Sequence, residues 1–278
     1  MVAYNLADRV VAITGSTGGL GSALAAALVA KGARLALLDL DGSAASTQAA
    51  SLGNAETACG WTADVRSFGS VQGAFDSAAE HFGGIDVVIA NAGIESVGSL
   101  STLDPELFDA VIDINLNGVW RTFKAALPHV QARQGYLLAT SSMAAFVHSP
   151  LQSPYTASKA GVWAMSDSVR LELRSLGVGV GTLHPTFFQT PMMEHVHADP
   201  AGLKLWGGNT SGIWKMVPLP AVVDAAVNGI ERRSDVIVVP GRNALVAKAP
   251  GLFRKIIERI GFNDRDITEA INLARRTA

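Results

Sequence analysis

The segment TGSTGGLG, residues 14–21, places four glycines between an apolar run and a helical pattern. The run RVVAITG (9–15) is typical of a buried strand, and residues 19–31 have the pattern of a helix. Glycines at such a junction let the backbone turn tightly and approach a pyrophosphate, which the N–H groups of the helix N-terminus can bind. The spacing differs from GxGxxG, and a merely tight strand-to-helix turn is the alternative. The residues predicted to hold a phosphate are Gly15, Thr17, Gly18, Gly19, Leu20 and Gly21.

The alternation of strand and helix continues along the chain. Most further apolar runs lack polar alternation, which is typical of strands buried on both faces of a parallel sheet. With helical patterns between them, they predict βαβ units and a doubly wound α/β sheet of about seven parallel strands. We expect one domain over residues 1–241, with a long loop at 186–218, and a helical extension of that domain at 242–278. The further runs are 34–40, 56–65, 85–93, 135–142, 178–185 and 235–241, and the helical patterns lie near 43–52, 67–82, 104–133, 153–176 and 219–232.

The composition is that of an ordinary globular protein. Of 278 residues, 49% are hydrophobic and 17% are charged, and the net charge is −2. These values argue against disorder and leave no broad basic surface for nucleic acid. The single cysteine, Cys59, excludes an internal disulfide and a cysteine-based metal cluster. No signal-peptide pattern and no membrane-spanning apolar run is seen, so we expect a cytoplasmic protein.

Asp39 ends the second predicted strand, 18 residues after Gly21, where its carboxylate should face an adenosine ribose. A carboxylate there accepts hydrogen bonds from the ribose hydroxyls and repels a 2′-phosphate. Neither TGSTGGLG nor LLDLDG contains Arg or Lys, so the sequence predicts NAD rather than NADP. The turn also lacks the lysine-serine ending of a nucleoside triphosphate loop, which argues against ATP hydrolysis. Asp64, after the third strand, either reaches the adenine amino group or is a solvated loop residue.

The segment PYTASKAG, residues 154–161, sets Tyr155 four residues before Lys159 at the predicted start of a helix. Residues at i and i+4 share one helix face, so the phenol and the ammonium lie side by side. Such a pair is common on solvated helix surfaces, and by itself it does not indicate chemistry.

The chain resembles the short-chain dehydrogenase/reductase family over about residues 8–241. TGSTGGLG matches the TGxxxGxG turn of that family, ANAG (90–93) matches its NNAG, and INLNG (114–118) matches the helix that carries its asparagine. The second serine of SS (141–142) precedes the tyrosine of YTASK (155–159) by thirteen residues, which is the family spacing. The resemblance implies a Rossmann domain, a nicotinamide cofactor, and interconversion of an alcohol and a carbonyl compound.

The resemblance also implies roles for four catalytic residues. Tyr155 is the general acid in carbonyl reduction and the general base in alcohol oxidation, and an adjacent ammonium at Lys159 favours its ionised form. Lys159 also holds the nicotinamide ribose, and Ser142 holds the substrate oxygen. Asn115 fixes a water in a proton path. The alternatives are Ser141 as the functional serine, and Asn115 as a buried amide satisfied by backbone.

Further cofactor contacts follow from the same resemblance, with one departure. The family commonly has Pro-Gly after the sixth strand, whereas HPTFFQTP has Thr186 in place of the glycine. A β-branched residue disfavours positive φ, so the chain path beside the nicotinamide can differ there. Thr190 still matches the threonine that contacts the nicotinamide amide. The implied contacts are Asp64, Val65, Asn91, Ala92, Gly93, Tyr155, Lys159, Pro185 and Thr190.

The loop at 186–218 sets substrate identity in the family, and here it is rich in apolar and aromatic residues. It predicts a bulky, mostly apolar ketone or secondary alcohol, and the alternative is packing into the core or a subunit contact. EHVHAD (194–199) has the composition of a metal site, but a solvated loop is the better interpretation and no metal is predicted. The predicted substrate contacts are Glu95, Phe146, Phe187, Met192, Trp206 and Trp214.

The segment APGLFRKIIERIGF, residues 249–262, predicts an amphipathic helix beyond the usual end of the family. It could dock over the substrate cleft, pack on a neighbouring subunit, or lie on a membrane surface, and its mixed charges place the membrane last. We expect at least a homodimer, or a homotetramer, through the helices at 104–133 and 153–176. The alternatives to an NAD-dependent dehydrogenase are an NADPH-dependent oxoacyl-type reductase and a non-catalytic NAD-binding module.

Overall fold

Seven strands form one parallel sheet in a computed structural model that describes residues 4–277, with side chains as far as residue 275. Five of the apolar runs are buried along almost their whole length, which is why they form strands covered on both faces. The strands are β1 Val10–Thr14, β2 Arg34–Asp39, β3 Ala58–Thr62, β4 Val87–Ala90, β5 Tyr136–Thr140, β6 Gly179–Pro185 and β7 Val236–Val239. Their order across the sheet is β3-β2-β1-β4-β5-β6-β7, which confirms the predicted doubly wound α/β fold.

Helices connect the strands and cover both faces of the sheet. Several begin at residues suited to capping: Asp41, Ser67, Asp104 and Thr190 each accept a backbone N–H of the first turn. The helices are α1 Gly19–Ala30, α2 Gly42–Leu52, α3 Phe68–Phe82, α4 Pro105–Ile112, α5 Gly118–Ala132, α6 Ser153–Leu173, α7 Pro191–Ala198, α8 Pro200–Trp206, α9 Leu219–Arg232, α10 Ala244–Lys248, α11 Pro250–Gly261 and α12 Asp264–Thr277.

The hydrophobic core has one layer on each face of the sheet. On one face α1 and α9 pack through side chains such as Leu24 and Ile230, which are fully buried. On the other face α3, α5 and α6 pack through side chains such as Phe75 and Val162. With the core closed on both faces, the open edge for a ligand is where the carboxyl ends of the strands meet, beside β1 and β4 where the strand order reverses.

The last part of the chain forms three helices rather than the one that the sequence predicts. The predicted helix at 249–262 is α11, with α10 immediately before it. Helix α12 packs on α8, and Ala270 and Ala274 are buried in a small apolar cluster with Trp206. None of the described helices is long and apolar enough to cross a membrane.

Candidate active site

A cavity of about 920 Å³ opens at the carboxyl ends of the strands. It begins at the glycine turn after β1, passes the ends of β2 to β6, and reaches the segment at 186–218 and the helices α10 and α11. Most of the residues predicted from sequence therefore line one continuous space. Gly21, Asn115 and Phe146 are the predicted residues that do not line it.

The glycine turn needs glycine for close packing and for backbone shape. Gly15 has φ +64°, and a Cβ there would stand 2.7 Å from Ala92 Cα. A Cβ on Gly21 would stand 2.2 Å from the carbonyl oxygen of Gly15. Helix α1 has no side-chain cap, and its first residues, Gly19 and Leu20, line the cavity. Uncapped N–H groups at a helix N-terminus suit a pyrophosphate, so the residues present fit a dinucleotide.

Asp39 lies at the end of β2 beside the turn. Its Oδ2 accepts hydrogen bonds from the backbone N–H of Thr17 at 3.0 Å and from Thr17 Oγ1 at 2.8 Å. These bonds hold the carboxylate against the turn at the cavity wall. A ribose bound along the turn would meet a negative charge at its hydroxyls, as the sequence predicts.

Asp64 forms an ion pair with Arg66, a residue that the sequence alone did not mark as part of the site. Arg66 Nη2 stands 2.8 Å from Asp64 Oδ2, and Arg66 Nε contacts both carboxylate oxygens. The hydrogen bonds from Arg66 hold the pKa of Asp64 below its ordinary value. Both residues line the cavity, as does Val65, so a guanidinium stands near the predicted adenosine end.

Tyr155 lies in the first turn of α6, and its ring faces the cavity. The Ser142 side chain lowers the pKa of the phenol, while Ser142 Oγ accepts the backbone N–H of Ala144 at 3.1 Å. Ser141 Oγ instead donates to the main-chain carbonyl of Lys159 at 2.9 Å. The structure thus turns Ser142 toward Tyr155 and uses Ser141 to anchor the helix.

Lys159 is almost fully buried, with its Nζ 5.6 Å from the centroid of the Tyr155 ring. Burial lowers the pKa of Lys159 to about 8. The pKa of Tyr155 is raised to about 12, first by burial and also by the charge of Glu95, against the lowering effect of Ser142. Without a cofactor, burial outweighs the lowering effect of Ser142 on the pKa of Tyr155. That Lys159 and the oxidised nicotinamide together favour the ionised phenol stays a prediction.

Asn115 lies in a π-helical turn, Asp113–Asn117, that joins α4 to α5. Its Oδ1 accepts the backbone N–H of Ile94 at 2.8 Å, and its Nδ2 donates to the carbonyl of Ile94 at 2.8 Å and to Ser158 Oγ at 3.3 Å. Both amide protons are used, so the side chain holds the segment after β4 against α6. The second lone pair of Oδ1 stays available to accept a hydrogen bond from a water, so the role of Asn115 in a proton path stays a prediction.

The nicotinamide end of the predicted site is formed by the segments after β4 and β6. Asn91 Nδ2 donates to the carbonyl of Gly15 at 3.0 Å, which ties the first of these segments to the glycine turn. Thr186 has no positive φ, so its β-branched side chain fits the backbone there. Thr190 lines the cavity and caps α7, and a Cβ on Gly19 would touch it. Ala92, Gly93 and Pro185 line the same wall.

The part of the cavity predicted to hold the substrate has aromatic and sulfur-containing walls. Phe187 packs near Trp206, with ring centroids 5.8 Å apart, and edge-on to Trp214 at 6.1 Å. Trp206 Nε1 donates to Ser149 Oγ, and Trp214 Nε1 donates to the carbonyl of Gly261, so each indole is oriented by a hydrogen bond. Met192 lines the same space, with Met193 beside it.

Phe146, predicted as a substrate contact, lies outside the cavity. Its side chain is buried against Trp163, with ring centroids 4.8 Å apart, and against His184 at 4.6 Å. The prediction is wrong because the short helical turn after β5, at 143–145, directs this side chain under α10 rather than toward the strand ends. Met143 from that turn lines the cavity instead.

Glu95 is the acidic residue in the apolar part of the cavity. Gln152 Nε2 donates to Glu95 Oε1 at 3.3 Å, and within the described residues Glu95 Oε2 is buried without a hydrogen-bond partner. Burial raises the pKa of Glu95 to about 7, and the charge of Asp199 adds to this effect. A carboxyl group in this state can donate or accept a hydrogen bond near neutral pH.

The histidines of EHVHAD form no metal-binding cluster within the described residues. His197 Nε2 is 2.8 Å from Asn209 Oδ1, and Asp199 accepts the backbone N–H groups of Ala201 and Gly202 at the start of α8. These bonds shape the segment over the cavity.

The family model described as short chain dehydrogenase matches residues 9–201. The chain belongs to the short-chain dehydrogenase family. It is 33% identical over 218 residues to D-threitol dehydrogenase of Mycolicibacterium smegmatis, a match that covers 77% of this chain and 80% of that protein. It is 43% identical over 136 residues to (−)-trans-carveol dehydrogenase of Rhodococcus erythropolis, a match that covers 48% of this chain and 49% of that protein.

A solved structure shares the fold of this short-chain dehydrogenase along most of its length. It is a short chain dehydrogenase/reductase from Burkholderia phymatum in complex with NAD, with a TM-score of 0.78 and 24% identity, covering 90% of this chain and 97% of that chain. The family match confirms the resemblance seen in the sequence. The chain is therefore an oxidoreductase of the alcohol and ketone class.

Some residues of this short-chain dehydrogenase site carried no usable signal in the sequence. His184 is buried behind Ser142, with Nδ1 3.1 Å from the Ser142 carbonyl and Nε2 2.8 Å from Thr182 Oγ1. Burial lowers its pKa to about 4, so the ring stays neutral. Its position one residue before Pro185 marks the strand end but does not show that the ring lies against Ser142. Asn243, Val246 and Ile257 also line the cavity, but only the fold brings α10 and α11 to this wall.

Proposed function

We propose that this short-chain dehydrogenase interconverts a secondary alcohol and a ketone on a bulky, mostly apolar substrate, with NAD as cofactor and Tyr155 as general acid and base. One observation carries the proposal. The side chains of Tyr155 and Ser142 both line a cavity that runs from the glycine turn to an aromatic pocket. A dinucleotide along the turn and an apolar carbonyl in the pocket would therefore meet at these two hydroxyls.

The chemistry divides between the cofactor and the chain. NAD supplies the hydride acceptor for oxidation, and its reduced form the hydride donor for reduction. In ketone reduction the Tyr155 hydroxyl gives its proton to the oxygen of the new alcohol, and in oxidation the phenolate takes that proton back. The Ser142 hydroxyl donates a hydrogen bond to the same oxygen as negative charge develops on it.

Lys159 and His184 hold these groups in place. Lys159 Nζ donates to the carbonyl of Thr140 at 2.8 Å, which leaves further donors for a ribose hydroxyl. The neutral ring of His184 lies against the main chain of Ser142 and orients it. Since burial raises the pKa of Tyr155 to about 12, alcohol oxidation needs added positive charge beside the phenol, which the oxidised nicotinamide supplies.

Asp39 supports NAD over NADP, and Arg66 is the feature that favours the alternative. The Asp39 carboxylate is held by Thr17 where the ribose 2′ oxygen of a bound dinucleotide would lie. Arg66 lines the same part of the cavity and could pair with a 2′-phosphate, but it is already paired with Asp64 on both carboxylate oxygens. A guanidinium that already donates to a carboxylate has fewer free N–H donors and less net positive charge for binding a phosphate than an unpaired one.

The experiment is nicotinamide absorbance during incubation with NAD or NADP and a panel of secondary alcohols, from small aliphatic through cyclic and aromatic to steroid. We expect turnover with NAD on the bulky apolar members. Turnover with NADP alone would overturn the cofactor assignment and favour a reductase of the oxoacyl type. Binding of NAD without turnover on any member would favour a non-catalytic NAD-binding module.

We also propose a homodimer or homotetramer in solution. Exposed apolar side chains lie on α4, α5 and α6: Leu107 and Phe108 at 38%, Trp120 at 50% and Leu171 at 58%. Exposed aromatic and leucine side chains on adjoining helices are suited to a subunit contact. Light scattering on the purified chain measures the mass directly, and a monomer at all concentrations would contradict the proposal.

A further inference from the structure

Helix α11 presents an apolar stripe to solvent. Leu252, Ile256 and Ile260 are spaced four residues apart, and 56–70% of each side chain is exposed. Leu245, on the neighbouring helix α10, is 67% exposed as well. The sequence predicts an amphipathic helix packed first on protein, whereas among the described residues only the opposite side of α11 packs on protein. Large apolar side chains in a continuous exposed stripe mark an interaction surface.

Positive charge borders this stripe on an otherwise acidic protein. Residues 242–261 contain five Lys or Arg and one acidic residue, although the whole chain has a net charge of −2. Arg254 pairs with that acidic residue, Glu258, at 3.4 Å. Within the described residues, no carboxylate lies within 4.0 Å of Lys255 or Arg259. On a helical projection these two cations lie next to Leu252, along one edge of the stripe.

The inner side of α11 forms part of the cavity wall. Ile257 lines the cavity, and a Cβ on Gly261 would stand 2.3 Å from the ring of Trp214. Trp214 lines the cavity too, and its Nε1 donates to the carbonyl of Gly261 at 3.0 Å. The exposed stripe and the substrate cavity are therefore separated by the thickness of one helix.

We propose that α11 docks on an anionic membrane surface. The helix lies in the plane of the interface, with Leu252, Ile256 and Ile260 in the outer acyl region and Lys255 and Arg259 at the lipid phosphates. Its twelve residues span about 18 Å, which suits a position on the surface rather than across the bilayer. The charge favours anionic lipid over a symmetric dimer through this face, because two copies docked through the same face would bring like charges together.

Docking in this orientation would turn the α11 wall of the cavity toward the lipid. An apolar alcohol or ketone dissolved in the membrane would then reach the cavity past the edge of α11, without crossing water. This delivery rests on the proposed function, whereas the docking itself does not.

The test is flotation of the full chain with vesicles of phosphatidylcholine alone and of phosphatidylcholine with phosphatidylserine. We expect binding to the mixed vesicles, weaker binding to phosphatidylcholine, and loss of binding at 1 M salt, where the screening length falls to about 3 Å. Ile256→Gln with Ile260→Gln should lower partitioning at least about tenfold through lost apolar burial. Lys255→Gln with Arg259→Gln should do the same through lost attraction to lipid phosphate.

Matched controls change exposed residues elsewhere on the protein. Leu100→Gln with Leu176→Gln replaces side chains that are 94% and 41% exposed, and Lys124→Gln with Arg232→Gln removes two exposed cations. Both control variants should float as the wild type does. Equal loss in a control pair, or wild type that stays unbound with both vesicles, would overturn the proposal.

A second measurement separates docking from self-association and from catalysis. If light scattering shows that Ile256→Gln with Ile260→Gln dissociates an oligomer, the stripe is a subunit contact and the proposal fails. Turnover of a water-soluble secondary alcohol is measured on the same variants without vesicles. Absence of wild-type turnover on the bulky apolar alcohols of the panel would contradict the proposed function, while flotation tests the docking whatever the substrate.

Discussion

Lys159 Nζ donates a hydrogen bond to the main-chain carbonyl of Thr140 at 2.8 Å, which ties the first turns of α6 to the carboxyl end of β5. This bond fixes the position of Tyr155, one helical turn earlier, relative to Ser142 just beyond the same strand. It also places the amine of Lys159 where it is almost fully buried, and this burial lowers the pKa of Lys159 to about 8. Burial of Lys159 is therefore unfavourable for the folded state, and its hydrogen bond holds Tyr155 in position.

Lys159→Met should abolish turnover and raise stability at neutral pH. The pKa shift from 10.5 to about 8 corresponds to roughly 3 kcal/mol against the folded state, and the lost hydrogen bond offsets about 1 kcal/mol of the gain. The folded state binds fewer protons than the unfolded state between pH 8 and 10.5, so wild-type stability rises with pH there and the difference should shrink. Urea unfolding at pH 7 and pH 10 measures this. Lys124→Met, at an exposed position, is the control and should leave both turnover and the free energy of unfolding unchanged. A Lys159→Met variant that is less stable than the wild type at pH 7 would contradict the prediction that burial of the lysine destabilises the folded state.

Much of the fold could be predicted because local pattern and tertiary environment agree. The run at 35–38 is uniformly apolar because this part of β2 is covered on both faces. The glycines at 15 and 21 were informative because any side chain there would collide with backbone. The spacing of Tyr155 and Lys159 was informative because residues four apart in an α-helix lie on the same face.

Other features depended on contacts between distant parts of the chain. The pairing of Arg66 with Asp64 is local in sequence, but its place at the cavity wall depends on where β3 ends in the sheet. Phe146 was misplaced because one short turn decides which way its side chain points. The amphipathic pattern of α11 was visible, yet which half of its apolar surface meets protein depends on where Trp214 lies. The sequence pattern shows that one face of a helix is apolar, but it does not show which part of the protein or of its surroundings covers that face.

Tyr155→Phe should lower turnover at least about a hundredfold, because the proton of the alcohol oxygen then has no acid or base beside it. The ring keeps its packing, so cofactor affinity should stay within about twofold. Single-turnover kinetics and NAD titration by fluorescence measure the two quantities separately. Ser141→Ala provides a nearby control, since Ser141 bonds the backbone of α6 and not the phenol. Near-normal turnover of Tyr155→Phe would refute its role, and equal loss of cofactor affinity would show a disturbed site.

Asp39→Ala should narrow the preference for NAD over NADP by about tenfold or more, since it removes the charge that opposes a 2′-phosphate. In the wild type the N–H and the hydroxyl of Thr17 both donate to Asp39, and the substitution removes both of these hydrogen bonds. The measurement is kcat/KM with each cofactor on one alcohol. Arg66→Gln is the matched comparison: it should weaken NADP more than NAD if the guanidinium reaches the phosphate. An unchanged ratio in Asp39→Ala would place the discrimination elsewhere.

Glu95→Gln should remove a pH dependence of stability that this carboxyl creates. Burial raises its pKa from 4.5 to about 7, so between these values the folded state binds more protons than the unfolded state. Stability of the wild type should therefore fall as pH rises from 4.5 to 7, by up to about 3 kcal/mol, and stay lower above pH 7. Glutamine is an uncharged isostere that can still bond Gln152, so the variant should match the wild type near pH 4.5 and exceed it at pH 8. Urea unfolding across this range measures the difference, with Glu172→Gln as a control at an exposed site. Parallel curves for Glu95→Gln and wild type would show that the carboxyl titrates normally and that the apolar pocket does not hold it neutral.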